Sequence, residues 1–119
     1  MSARILVVED DARERSDLAD MVAAFGFEVA TAVHPDLALA QLDSFAPAAA
    51  VIDIGLPGMD GYELAAEIRR RLAGRPMRLV AFTGYGGADD IARATRAGFD
   101  AHLVKPVDIE RLLAVLGDC

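Results

Sequence analysis

The sequence predicts an α/β fold: a single doubly wound parallel sheet with helices on both faces. Three observations carry that reading. Short apolar runs alternate with amphipathic stretches five times along the chain, the pattern of repeated strand–helix units. The first run, Ile5-Leu6-Val7-Val8, is continuously apolar, as a strand covered on both faces must be. No linker, repeat or low-complexity stretch divides the 119 residues, so the chain reads as one domain over residues 1–119.

Each element has a local reason. Ile5–Val8 is the first strand, and the acids behind it end it. Leu18, Met21, Val22 and Phe25 then recur at helical spacing, with Asp11 a candidate N-cap and Gly26 where a C-terminal cap belongs. Val29–Ala32 is a second, weaker strand. Leu39, Leu42 and Phe45 mark a helix opened near Pro35 and closed before Pro47, since proline suits a first turn and stops a last one. Ala49–Ile54 is the third strand. Leu64, Ile68 and Leu72 mark the next helix, ended by Gly74 and Pro76. Leu79–Phe82 is the fourth strand, followed by an alanine-rich helix over Ala88–Ala97 with Gly98 as its cap. Leu103-Val104 closes the fifth strand. Ile109, Leu112, Leu113 and Leu116 carry the last helix behind Asp108, its expected N-cap. Right-handed crossovers leave few topologies for such a chain.

Composition excludes several function classes. Apolar residues are 54%, and a chain of this size buries about two-thirds of its unfolded surface, enough for a core without staples. Twelve basic against 19 acidic residues give a net charge of −7, which argues against a nucleic-acid backbone or an anionic membrane as partner. The arginine run Arg69-Arg70-Arg71, with Arg75 and Arg78, reads as a solvated helix end. No nucleic-acid reading motif accompanies it. The single cysteine, Cys119, is the last residue, so neither a disulfide framework nor a cysteine-based zinc site is expected. No apolar run approaches a membrane span, and Ile5–Val8 is too short for a signal-peptide core. A cytoplasmic location is expected. Of the 12 basic residues 11 are arginine, and Lys105 is the only lysine. In a chain that favours arginine, a retained lysine is a candidate for chemistry that arginine does not do.

Polar residues gather at the strand ends. The first strand runs into Glu9-Asp10-Asp11, the third reaches Asp53, the fourth ends at Thr83 and the fifth at Lys105. In open α/β sheets ligands bind outside the carboxyl ends of the strands, where the strand order reverses. Each piece has a plain alternative. Glu9-Asp10-Asp11 also reads as an N-cap with its dipole complement. Asp53 also opens the turn Gly55-Leu56-Pro57-Gly58, Thr83 is a good strand residue, and Lys105 is a surface lysine. Together they make chemical sense. Carboxylates held close repel one another, and a hard cation relieves the repulsion. Oxygen ligands suit Mg²⁺, with Mn²⁺ possible. One carboxylate can then attack a phosphoryl group, and phosphoryl transfer asks mainly for positioning and charge neutralisation.

At these residues the sequence resembles the receiver domain of two-component response regulators. The matching pieces are Ile5 to Asp11, Val51-Ile52-Asp53-Ile54-Gly55-Leu56-Pro57-Gly58-Met59-Asp60-Gly61, Phe82-Thr83-Gly84 and Val104-Lys105-Pro106. The resemblance covers essentially the whole chain and is specific as a joint pattern. It implies a flavodoxin-like (βα)5 sheet of order 2-1-3-4-5. It implies Asp53 as the phosphoacceptor, Asp10 as a direct Mg²⁺ ligand with Glu9 assisting, and Gly55 offering its backbone carbonyl to the metal. Lys105 would pair with Asp53 or its phosphate, through a cis Lys105–Pro106 bond, and Thr83 would be the switch hydroxyl. The donor would be a histidine kinase or phosphotransfer protein, and a downstream protein would bind the face made by the fourth helix, fifth strand and fifth helix. The chain would be a phosphoacceptor and not an enzyme with a substrate of its own.

The sequence also departs from the pattern. His102 stands three residues before Lys105, where an aromatic switch residue is common; as a switch it would add pH dependence. Gly55 has no side chain to cover a phosphoryl group, whereas Tyr85 lies two residues past Thr83. Gly84, Gly86 and Gly87 free the loop before the alanine-rich helix. Two other readings compete. A phosphate-independent pseudo-receiver acting as an interaction module would be expected to lack parts of the site, and all matching positions are filled. A phosphatase or mutase working through an aspartyl-phosphate needs a second acid two residues after the nucleophile, where Gly55 stands.

Overall fold

The computed structural model describes residues 3–56, 58–84 and 87–117. The expectations for Tyr85, Gly86 and Cys119 therefore lie outside the described residues. Five strands and five helices alternate: β1 Arg4–Val8, α1 Ala12–Ala24, β2 Glu28–Ala32, α2 Pro35–Ser44, β3 Ala49–Asp53, α3 Gly61–Leu72, β4 Arg78–Thr83, α4 Ala88–Ala97, β5 Ala101–Val104 and α5 Ile109–Leu116. The strands form one parallel sheet of order β2-β1-β3-β4-β5. The sheet order and the alternation are those expected from the sequence and the resemblance. Among the described residues no helix is long and apolar enough to cross a membrane.

Alternation along the strands divides the core into two layers. Leu6, Val8, Ala50, Ile52, Leu79 and Ala81 face α2, α3 and α4. Ile5, Val7, Val51, Val80, Phe82 and Leu103 face α1 and α5. This is why the middles of the central strands, Ile5–Val8, Ala49–Ile52 and Leu79–Phe82, are apolar at every position: side chains on both faces are buried. Asp11, Asp60 and Asp108 cap α1, α3 and α5, each accepting a backbone N–H of the first turn. Gly87 opens α4 with no side-chain cap, and Ala94 is that helix's one buried residue.

Three expectations change in detail. The third strand stops at Asp53, not Ile54, because Asp53 Oδ1 accepts the Gly55 N–H at 3.1 Å and turns the chain. The buried stripe of α5 is Leu112, Val115 and Leu116; Ile109 and Leu113 are 53% and 44% exposed. The arginine run is not uniformly solvated. Arg70 and Arg71 pair with Glu67 on the surface, but Arg69 is a clamp at the amino ends of the strands. Its guanidinium donates to Met77 O, to Gly98 O and to Asp100 Oδ2 at 2.7 Å. The same Asp100 oxygen accepts the Leu79 N–H at 2.9 Å. Arg69 thus ties α3 to the entries of β4 and β5. Replacing it with Met is expected to lower stability by about 2 kcal/mol, because it removes charge-assisted bonds and strands carbonyls. Lysine should not rescue the loss, since one ammonium cannot span the fork's acceptors. Urea unfolding midpoints would check this, and a midpoint unchanged in Arg69→Met would refute the clamp.

Candidate functional site

The site forms where β1 and β3 diverge toward helices on opposite faces of the sheet. Sheet pairing carries Glu9 just past β1, where its N–H donates to Ala32 O at 3.1 Å. Asp53 ends β3 beside it, and both carboxylates are buried. Asp10 is exposed. One carboxylate oxygen each from Glu9, Asp10 and Asp53 lies within 4.8 Å of the others. Asp11 turns away to cap α1: its Oδ1 accepts the Glu14 N–H at 2.9 Å. The N-cap reading of the acidic triplet therefore applies to Asp11, while Glu9 and Asp10 stand beside Asp53.

Lys105 reaches into this cluster from the end of β5. Its N–H donates to Thr83 O at 2.7 Å, and the Lys105–Pro106 bond is cis. Its Nζ lies 3.4 Å from Asp53 Oδ2, 3.6 Å from Glu9 Oε2 and 3.1 Å from Glu14 Oε2, with the Phe82 ring 5.0 Å below. Burial works against its charge, but the hydrogen bond to Glu14 and the charges of Asp53, Glu9 and Glu14 together raise its pKa. Thr83 is buried at the end of β4, one residue past Phe82, whose register partner is Asp53. Glu9, Asp10, Asp53 and Lys105 thus converge, and Thr83 joins them through the carbonyl that accepts the Lys105 N–H. Gly55 joins through its N–H on Asp53. His102, opposite Ala81 on β5, instead lines a shallow groove of about 230 Å³ with Ile91, Phe99 and Arg111.

Glu9 is the anomaly of the site. Its Oε1 accepts the Asp11 N–H at 3.1 Å, but among the described residues Oε2 has no hydrogen-bond partner, only the ion pair with Lys105 at 3.6 Å. Burial first, then the carboxyl contact with Asp53, pushes its pKa up to about 8. A buried acceptor left over beside two more carboxylates costs free energy unless something takes it up. An oxygen-only donor set with one buried lone acceptor fits a hard divalent cation such as Mg²⁺ or Mn²⁺. An open depression of about 980 Å³ lies elsewhere, around Arg69, Met77 and Phe99 at the amino ends of β4 and β5.

Two residues that matter here escape the sequence. Glu14 sits three residues past the N-cap, a position that signals a partner within the helix terminus and not a contact with β5. Gly61 opens α3, and a Cβ there would stand 2.7 Å from Asp53 O and 2.7 Å from Ile54 Cα. Its place in a glycine-rich loop hides that close approach.

A five-stranded doubly wound sheet with an acid cluster and one lysine at its switch point makes this an α/β protein whose polar groups gather at the carboxyl ends of its strands. Comparison narrows the class. The response regulator receiver domain profile matches residues 5–117, and the chain belongs to that family. It is 36% identical over 113 residues to the response regulator protein FleR of Pseudomonas aeruginosa, covering 95% of this chain and 24% of that protein. It superposes on a CheY-like receiver domain protein of Methanospirillum hungatei with a TM-score of 0.88 at 30% identity, covering 99% and 93% of the two chains. The chemotaxis protein CheY4 of Vibrio cholerae shares the fold at a TM-score of 0.92 and 24% identity, covering 99% and 98%. The share of each curated relative spanned by this chain varies from 24% of FleR to 86% of a 14.6 kDa protein of Leptolyngbya boryana.

Proposed function

We propose that Asp53 takes up a phosphoryl group in a Mg²⁺-dependent reaction, from the phosphohistidine of a histidine kinase or phosphotransfer protein, and that the modification alters the surface of α4, β5 and α5 that a downstream protein reads. The observation that carries this is the Asp53 carboxylate at the end of β3, buried beside Glu9 and Asp10 and in an ion pair with the only lysine of the chain.

In this reading an Asp53 carboxylate oxygen bonds to phosphorus, the donor's P–N bond breaks, and the bonding pair stays with the imidazole nitrogen. The Gly55 N–H on Oδ1 fixes the carboxylate's orientation, so attack needs little reorganisation. Glu9, Asp10 and Asp53, with the Gly55 carbonyl, would hold the Mg²⁺. When bound, it supplies charge neutralisation for the phosphoryl oxygens. Lys105 adds a second positive charge on the Oδ2 side. Burial of Asp53 and Thr83 excludes competing water. The Thr83 hydroxyl would donate to a phosphoryl oxygen, and His102 would respond on the far side of β5. Ile91, Val104 and Leu113 are 43%, 43% and 44% exposed on α4, β5 and α5, apolar area that supports this face as the partner surface. We place the action in the cytoplasm, with protein partners and neither nucleic acid nor membrane.

The test is intact mass after incubation with Mg²⁺ and acetyl phosphate. One labile phosphate is expected on the parent chain, none on Asp53→Ala and none with chelator. Failure to label in this assay and also with a histidine kinase or phosphotransfer protein as donor, with the fold intact by circular dichroism, would leave the phosphate-independent module standing.

A further inference from the structure

We propose that Glu14 is a positioning residue that competes with Asp53 for the Lys105 ammonium and so limits how readily a phosphoryl group is taken up there. The inference rests on the reading of Asp53 as phosphoacceptor and adds a residue to it.

The geometry of Lys105 is a competition. Three carboxylates surround Nζ, and the one bearing its hydrogen bond is Glu14, at 3.1 Å; Asp53 and Glu9 stand at 3.4 and 3.6 Å, ion-pair contacts alone. An ammonium has three donors in fixed tetrahedral directions. Turning one onto Glu14, on the α1 side, leaves Asp53 an ion-pair contact without a hydrogen bond.

The capping of α1 explains why Glu14 is available. It occupies the third position after the N-cap Asp11, where a glutamate ordinarily reaches back to the N-cap N–H. Here Glu9 Oε1 already accepts that N–H, at 3.1 Å. Displaced from the box, the Glu14 carboxylate crosses instead to Lys105. The helix dipole accounts for an acid in this turn, but not for its reach to another element. Asp17, one turn further along α1, lines the same small groove beside Lys105 and makes no ion pair with it. Phosphoryl transfer places new negative charge at Asp53, so Lys105 must exchange Glu14 for those oxygens. Glu14 is a brake on that exchange.

The test uses the full chain and Glu14→Gln, with Glu14→Ala as a second variant and Asp17→Asn as a control for net charge. Acetyl phosphate is the donor: its P–O bond breaks, Asp53 gains the phosphoryl group, and acetate leaves with the electron pair. Beryllofluoride with Mg²⁺, titrated calorimetrically, is the unreactive readout. Both Glu14 variants should label about fivefold faster than the parent and bind beryllofluoride correspondingly tighter, the factor that release of one half-exposed ion pair allows. Asp17→Asn should match the parent. A structural role for Glu14 would move both quantities the other way. Equal gains in Asp17→Asn, or no gain in either Glu14 variant, would overturn the inference while the parent still labels. A parent chain that takes neither phosphate nor beryllofluoride would overturn the Asp53 reading, and this inference with it.

Discussion

In EDTA, Glu9→Gln is expected to melt higher than the parent protein, and the gap should widen as the pH rises from about 5 to about 8. The cause is the direction of the Glu9 shift. Its carboxyl has an ordinary value of 4.5 in the unfolded chain and about 8 in the fold, raised chiefly by burial and then by Asp53. The folded state therefore binds this proton more tightly than the unfolded state. Below pH 4.5 the carboxyl is protonated in both states and nothing is lost. Between 4.5 and 8 the unfolded chain gives up the proton and the fold does not, so stability falls as pH rises; above 8 the loss is complete. At pH 7 it is on the order of 3 kcal/mol, roughly 10 °C in Tm for a domain of this size. Glutamine keeps the acceptor for the Asp11 N–H and removes the charge. Excess Mg²⁺ should narrow or invert the gap, because a ligand that binds only the parent's native state stabilises only the parent. Equal melting of the two proteins in EDTA at pH 8 would sink the argument.

That expectation identifies what the site does to the fold. Burying Glu9 next to Asp53 makes its ionisation costly in the fold, and Lys105 relieves that cost only in part, since its hydrogen bond goes to Glu14. Stability is given up where a cation and a phosphoryl group would be held. Lys105 is bound into the same balance. Its raised pKa comes from Glu14, Asp53 and Glu9 against burial, so replacing any one of these acids should loosen it.

The parts of this arrangement that were legible in the sequence are those that depend on residue type at a strand end. Ile5–Val8 and Ala50–Ile52 had to be buried because nothing in them is polar, and the first polar residue past each run, Glu9 and Asp53, had to emerge at the same edge. Sheet order came from the resemblance, because apolar runs carry no information about which neighbour they pair with. What remained hidden depends on rotation and reach. The last helix is apolar at nearly every position, Ile-Glu-Arg-Leu-Leu-Ala-Val-Leu, so periodicity could not decide whether Leu113 or Val115 faces the sheet. Nothing in three consecutive arginines marks Arg69 as the one aimed at Gly98 and Asp100. Glu14 drew no notice in the sequence, because its partner is 91 positions away.

Gly61→Ala is expected to damage fold and site together, whereas Gly55→Ala should spare the fold. A Cβ at Gly61 would stand 2.7 Å from the carbonyl oxygen of Asp53 itself and 2.7 Å from Ile54 Cα, with Ile54 Cδ1 at 3.1 Å. The first two are main-chain atoms of the end of β3, and the Gly61 N–H donates to Ile54 O at 2.9 Å, so α3 cannot retreat without breaking its own anchor. Overpacking of this kind costs about 1–3 kcal/mol, and part of the relief must come from moving Asp53, whose carboxylate the site depends on. At Gly55 the nearest atom to a Cβ is Asp53 Oδ1 at 3.8 Å, an ordinary contact, and the N–H that orients Asp53 survives the change. Urea unfolding together with acetyl phosphate labelling separates the two variants. Gly61→Ala should unfold at lower urea and label slowly even under conditions where it is fully folded. Gly55→Ala should unfold with the parent. If Gly61→Ala labels at the parent's rate while folded, then the close approach of α3 to β3 does not position Asp53, and the orientation of that carboxylate rests on the Gly55 N–H alone.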